Sequence, residues 1–306
     1  MKHVNNLSKK TGLILGSLNV RSINSKSASV TNLLSEMNLD VFALQETWHE
    51  NSDSLSLHRA VPPGYNVVDA ARPNSSDGLG LSSIPGGGVA IIYRSDLKCH
   101  KVNTLPSVKS FEYVCCRLTT SKRNDITVLS IYRPGSHAVT SEFFTELCIL
   151  LEALATFRCP VIILGDINIH LQRPDDVHSV ELTELLESFD MSQYVKETTH
   201  KSGGLLDVII GRNNDIISEV KIHQVGISDH HLITFKAAVE ITPVECSPYV
   251  GRKWHQFSLD AFRRDLAESK LCSDSRDWMK SLSIDQLFAI YDNIKCLLSM
   301  TMNSSV

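Results

Sequence analysis

The chain lacks any run of roughly 18 consecutive apolar residues, the length a membrane helix needs, so no span is expected. It has no CxxC pair. Its eight cysteines, Cys99, Cys115, Cys116, Cys148, Cys159, Cys246, Cys272 and Cys296, are scattered, several of them inside apolar runs. That spacing excludes the usual zinc frameworks and points to reduced, mostly buried thiols in an intracellular protein. No charge sign dominates: 30 Lys+Arg stand against 34 Asp+Glu, a net charge of -4. A histone-like or tail-driven nucleic-acid binder is thereby excluded, whereas a nuclease with basic residues confined to a groove is not. There is no repeat of fixed period and no low-complexity tract. The polar start, MKHVNNLSKK, leads into TGLILGSLNV without a small-residue cleavage pattern, so no signal peptide is expected. What is present is a 306-residue chain, 42% apolar and 21% charged, enough for one large α/β domain with a small appendage.

Apolar patterning alternates between strand and helix. LILGSLNV (13–20), DVFALQE (40–46), GVAIIYR (88–94), FEYVCCRL (111–118), ITVLSIYR (126–133), PVIILGDIN (160–168), LLDVIIG (205–211), SEVKIHQV (218–225) and HLITFKAAV (231–239) read as strands. Residues 27–37 carry Val30, Leu33, Leu34 and Met37 on one helical face. A longer helix is expected over 140–157, with Phe143, Phe144, Leu147, Leu150, Leu151 and Leu154 inward, and a third over 180–189. The Pro/Gly-rich stretch 47–88 should be mostly loop, with one short strand at 65–69, and SKRND (121–125) a hairpin turn. Pro243 and Pro248 mark a change of character. A boundary is therefore placed near residue 245, with a nuclease-sized domain over 1–245 and helical pieces over 246–306.

Chemistry collects where the strands end. Asn19 closes the first strand and Glu46 the second; Tyr132 and Arg133 end another; Asp166 and Asn168 lie in GDIN; Asp207 lies in LLDVI; Ser228, Asp229 and His230 lie in SDH. Rigid strand tips present such side chains into a crevice. The set is rich in carboxylates and amides, which suits a hard divalent cation and the attack of water on a phosphate. Singly, most have an ordinary reading as turn or capping residues. Asp207 is the sharpest, because an acid between apolar neighbours on a strand is costly unless paired, and a histidine held in one tautomer is its natural partner. His170, His200 and His231 form no ligand pair at helical spacing and read as ordinary histidines.

In this order, N…QE…Y…GDxN…LD…SDH, over roughly residues 11–240, the motifs resemble the exonuclease–endonuclease–phosphatase superfamily. Within it, LNVRSINSK, LQETW, GGGVAIIYR, YRP, GDINIH and TTHKSGGLLDVII are similar to the endonuclease domain of non-LTR (LINE-type) retrotransposon polyproteins. The resemblance implies a DNase I-like, four-layer α/β/β/α sandwich of two mixed sheets, with a short helical C-terminal extension. It implies Mg²⁺, with Mn²⁺ as the alternative, held by Glu46 with Asn19 and Asp229. It implies that Asp166 deprotonates the attacking water and Asn168 aligns it. His230, oriented by Asp207, would donate to the phosphate, and Tyr132 would contact it. The product would be a DNA nick with a free 3′-hydroxyl. DNA contacts are expected from Arg133 and Lys201, with Lys122 and Arg123 as further basic candidates, and the resemblance places Thr199 and Ser228 where a residue contacts DNA or braces the site. Arg21 stands where apurinic-site endonucleases often carry an acid, which favours the retrotransposon branch. The tail, RKWHQFSLDAF and DQLFAIYDNIKCLL, looks like the stretch leading to a reverse transcriptase in such polyproteins, so a reverse transcriptase domain of a longer parent chain is the expected partner besides DNA. An intracellular location is expected, nuclear for a working enzyme and cytoplasmic otherwise. The alternatives are a phosphodiesterase or phosphatase on lipid or small phosphates, and an inactive DNA-binding remnant.

Overall fold

The structure, a computed structural model, describes residues 11–72, 86–121, 124–212 and 216–240, together with four exposed helical residues, Asp260, Arg264, Ala267 and Glu268. The chain divides into two compact units, Met1–Val244 and Glu245–Val306. Lys122 and Arg123, and nearly all of the tail expected to be helical, lie outside the described residues.

Strands β1 (Thr11–Asn19) and β2 (Val41–Gln45) run parallel, joined by helix α1 (Ser27–Glu36). A short helix α2 (Leu55–Arg59) precedes β3 (Tyr65–Ala70), which pairs antiparallel with β4 (Val89–Arg94). Then come β5 (Lys98–Lys101), β6 (Glu112–Ser121) and β7 (Asn124–Tyr132). Helix α3 (Ser141–Ala155) crosses from β7 to the parallel β8 (Val161–Asp166). Helix α4 (Val177–Ser188), β9 (Met191–Gln193), β10 (Asp207–Arg212), β11 (Ile217–His223) and β12 (Leu232–Glu240) complete the described order. The strands form two mixed six-stranded sheets, β11-β12-β1-β2-β4-β3 and β5-β6-β7-β8-β10-β9.

The near-continuous apolar runs follow from burial on both faces of each sheet. In β1, Leu13 and Leu15 face the other sheet, while Leu18 lies on the α1 side. In β2, Val41 and Ala43 face the other sheet and Phe42 and Leu44 face α1. In β8, Ile162 and Leu164 join the space between sheets, and Val161 and Ile163 pack under Phe143, Leu147 and Leu151 of α3. Three apolar layers of this kind make the α/β/β/α sandwich. Thr140 caps α3 by accepting from the Phe143 N–H, and Asp176 caps α4 by accepting from His178.

The strands sit where the patterning puts them. The differences fall on short pieces. Helix α2 has a single buried residue, Leu57, and shows no periodicity. Strands β5 and β9 are outermost in their sheet and only four and three residues long, too short to alternate legibly. Helix α4 begins at Val177 rather than 180, because the Asp176 cap starts it. Asp207 is the first residue of β10, not an interior one. Among the described residues no helix is long and apolar enough to cross a membrane, and Cys99, Cys115, Cys116, Cys148 and Cys159 are free thiols.

Candidate active site

The topology brings the strand tips together. Parallel pairing puts the C-terminal ends of β1 and β2 at one end of the first sheet, and those of β7 and β8 at one end of the second. β10 runs antiparallel to β8, so its first residue, Asp207, faces Asp166 across the ladder. β12 runs antiparallel to β1, so the residues just before it, Asp229 and His230, come to the same end. The connections there are strained. Arg21, Glu46, Trp48 and Asn168 have φ near +50°, a region costly for side chains of this size. Backbone bonds pin them: Ser22 N–H to Glu46 O at 2.7 Å, Trp48 N–H to Gly87 O at 2.8 Å.

Asp166 is at the centre and fully buried. Its Oδ2 accepts from Asn19 Nδ2 and from Asn168 Nδ2, each at 2.9 Å, and its Oδ1 accepts from the Asn168 backbone N–H at 2.9 Å. Asn19 also donates from Nδ2 to Glu46 Oε1 at 2.9 Å, so one amide bridges the carboxylates of two strands in different sheets. His230 Nε2 lies 3.7 Å from Asp166 Oδ2, and its Nδ1 is 2.8 Å from Asp207 Oδ2. Thr199 Oγ1 accepts the N–H groups of Leu206 and Asp207, both at 3.1 Å, which fixes the start of β10. The Tyr132 hydroxyl hydrogen-bonds Glu46.

Protonation follows from this packing. Burial, reinforced by the Asp207 charge and only partly offset by His230, pushes Asp166 up to about 7. For His230 burial works downward, but Asp207, by charge and hydrogen bond, and then Asp166 and Asp229 outweigh it and raise the ring to about 9. Tyr132 is raised by burial and then by Glu46, so it remains a phenol and a donor. At Asp229 burial works upward, but hydrogen bonding and the charges of Arg21 and His230 hold the carboxyl below its usual range.

Asp229 forms an ion pair with Arg21, and His200 Nε2 lies 3.4 Å away. His200, Asp229 and His230 bring ligand atoms within 4.8 Å of one another, as do Asp166, Asp207 and His230. Both imidazoles are engaged by protein partners. Ser202 holds His200 Nδ1, with its N–H at 3.1 Å and its Oγ at 2.6 Å, and His200 Nε2 faces Asp229. His230 has Asp207 at Nδ1 and is raised well above neutral. The donors left are the oxygens of Glu46, Asp166, Asp229 and Asn19, a hard set that fits a divalent cation such as Mg²⁺. Asp207 Oδ1 is a buried oxygen of the cup without a hydrogen-bond partner.

All eight residues expected at the catalytic and metal centre meet at this end of the sandwich. The DNA surface is different. Arg133, expected there, is 3% exposed, and its guanidinium is taken up by the carbonyls of Ile167, Asn168, Pro134 and His137. It staples two loops and presents no face to a phosphate. Thr199 is 0% exposed and braces the start of β10, the bracing alternative of the two expected for it. Ser228 is buried, donating to Asp229 Oδ1 at 3.2 Å. Lys201 is exposed. The sequence reads His200 as an ordinary histidine, whereas the structure sets its Nε2 3.4 Å from Asp229; its signal was its place in THKSGG just before LLD. Sequence reading passed over Gln45, whose Nε2 donates to Ser130 Oγ at 2.9 Å across the sheets. It also passed over the buried Arg72–Glu112 ion pair, with the Arg72 guanidinium 5.9 Å over the Tyr132 ring.

Residues 16–230 match the Endonuclease/Exonuclease/phosphatase family. Among solved structures the chain is similar to the endonuclease domain of TRAS1, a telomere-specific non-LTR retrotransposon, at 14% identity and TM-score 0.58, covering 75% of this chain and 99% of that one. It is similar to the 3′ phosphatase NExo from Neisseria bound to a product DNA hairpin, at 17% identity and TM-score 0.57, covering 74% and 99%. A third likeness is to the AP endonuclease LMAP from Leishmania major, at 14% identity and TM-score 0.58, covering 76% and 89%. At such identities these likenesses show the fold. No curated protein matches the sequence.

Proposed function

Because the chain belongs to the endonuclease/exonuclease/phosphatase family, and so to hydrolases of phosphate esters, we propose that it is a Mg²⁺-dependent DNA endonuclease of LINE type that leaves a 3′-hydroxyl. The observation that carries this reading is the buried Asp166, raised to about 7, between two amides and an Asp207-bound imidazole. A carboxylate poised near neutral is a general base for water. Asp166 takes the proton of the attacking water, and Asn168, bonded to Asp166 and to Arg133 O, keeps water and phosphate in line. His230, protonated and fixed by Asp207, donates to a non-bridging oxygen as charge builds. Tyr132 contacts the phosphate once its single O–H, given to Glu46 here, is released to it. Glu46, with Asn19 and Asp229, would hold the cation, which when bound offsets charge on the phosphate and on the departing 3′-oxygen.

DNA as substrate is supported by the LINE-like motif set and by the exposed cations Arg21 and Lys201 near the cup. The domain assignment, nuclease over 1–245 followed by a segment leading to a reverse transcriptase, is part of the same proposal. Purified protein with supercoiled plasmid and Mg²⁺ should yield nicked circles. Asp166→Ala and His230→Ala should each reduce the rate by about a hundredfold or more. Equal nicking by wild type and both variants would trace the activity to a contaminant and end the proposal.

A further inference from the structure

Among the described residues Trp48 is the one exposed Trp, Tyr or Phe ring, at 39%. It is held in place by several features. Its backbone is left-handed, φ 54°, which an aromatic side chain rarely adopts. Its N–H is bound to Gly87 O at 2.8 Å. Its indole Nε1–H donates to Glu46 Oε2 at 3.2 Å, so the ring borders the carboxylate assigned to the cation. Gly86 leaves the space that the indole occupies: a Cβ there would lie 2.7 Å from Nε1. The indole is thus fixed at its N–H edge beside Glu46, with 39% of the residue exposed.

We propose that Trp48 is a stacking platform for an unstacked nucleobase flanking the scissile phosphodiester. This rests on the reading of the site as a DNA nuclease and adds a contact to a base where the catalytic groups touch only phosphate. Every base has a π-face, so an indole binds a flanking nucleotide without reading its identity. A ring already fixed by strain and hydrogen bonds loses little freedom when the base arrives.

Trp48→Ala should raise KM for a duplex oligonucleotide roughly tenfold, with kcat changed far less. Trp48→Phe, which keeps a ring and loses the N–H, should restore most of that KM. A fall in kcat at unmoved KM in Trp48→Ala, or a Trp48→Phe variant as poor in KM as Trp48→Ala, would mean that the indole serves only Glu46 and overturns the stacking role. Should Trp48→Ala not fold, the Trp254→Phe/Trp278→Phe protein leaves Trp48 as the sole indole. Its fluorescence should be quenched by a non-cleaved oligonucleotide, and no quenching overturns the proposal. A wild type that nicks DNA while Trp48→Ala keeps its KM removes the stacking role alone. A wild type that neither binds nor nicks DNA removes the nuclease reading and this inference with it.

Discussion

Asp166 and His230 lie 3.7 Å apart, and both bind protons more tightly than such groups do in water. If the base must be ionised and the imidazole protonated, kcat/KM should be bell-shaped. It should rise toward a limb at or below about 7, since a bound cation draws Asp166 lower, and fall above about 9. A flat profile between pH 6 and 10 would contradict these roles. Asp207→Asn removes a negative charge that raises both groups, so both should titrate lower. In the metal-free protein, NMR titration of the His230 ring should move down from about 9. Stability has the same sign. The folded state holds protons on both groups that the unfolded chain gives up sooner, so the His230 contribution is complete below 6.5 and lost as pH rises through about 9, with Asp166 losing its share between 3.8 and about 7. The Tm of the metal-free protein should therefore fall between pH 6 and 9.5.

Among the elements, β7 and β8 decide where Asp166 points. They approach so closely at Gly165, φ +145°, that a Cβ would lie 1.9 Å from Ile131 O. Gly165→Ala should force β8 away from β7, costing about 3 kcal/mol in denaturant unfolding, and should abolish nicking by moving the neighbouring Asp166. Unchanged stability and activity would show that the ladder relaxes there. The GDxN pattern made this legible, because a glycine before the acid implied a tight exit. Strands β5 and β9 and helix α2 were not legible: three to five residues carry too little periodicity to be seen before their neighbours are in place.

For the molecule as a whole, two compact units meeting in sequence at Val244 and Glu245 predict that brief proteolysis cuts near residue 245. Mass spectrometry should show a fragment ending close to there that still nicks plasmid. First cuts inside 86–240 would contradict the domain assignment. A net charge of -4 also implies that DNA binding depends on a few local cations, so nicking should weaken as salt rises from about 50 to 200 mM.

The sequence by itself determined the alternation of buried strands and helices, and the order along it of the polar residues proposed to be catalytic. Burial on both sheet faces demands long apolar runs, and catalysis places polar residues at their ends; both are local in the chain. It did not determine that Arg133 turns inward to cap carbonyls or that Asn19 bridges Glu46 and Asp166. Those choices depend on partners up to 147 positions away. Only the pairing of strands and the closure of one sheet on the other sets which donors and acceptors face each other, and so whether a given arginine meets solvent or a ring of carbonyls.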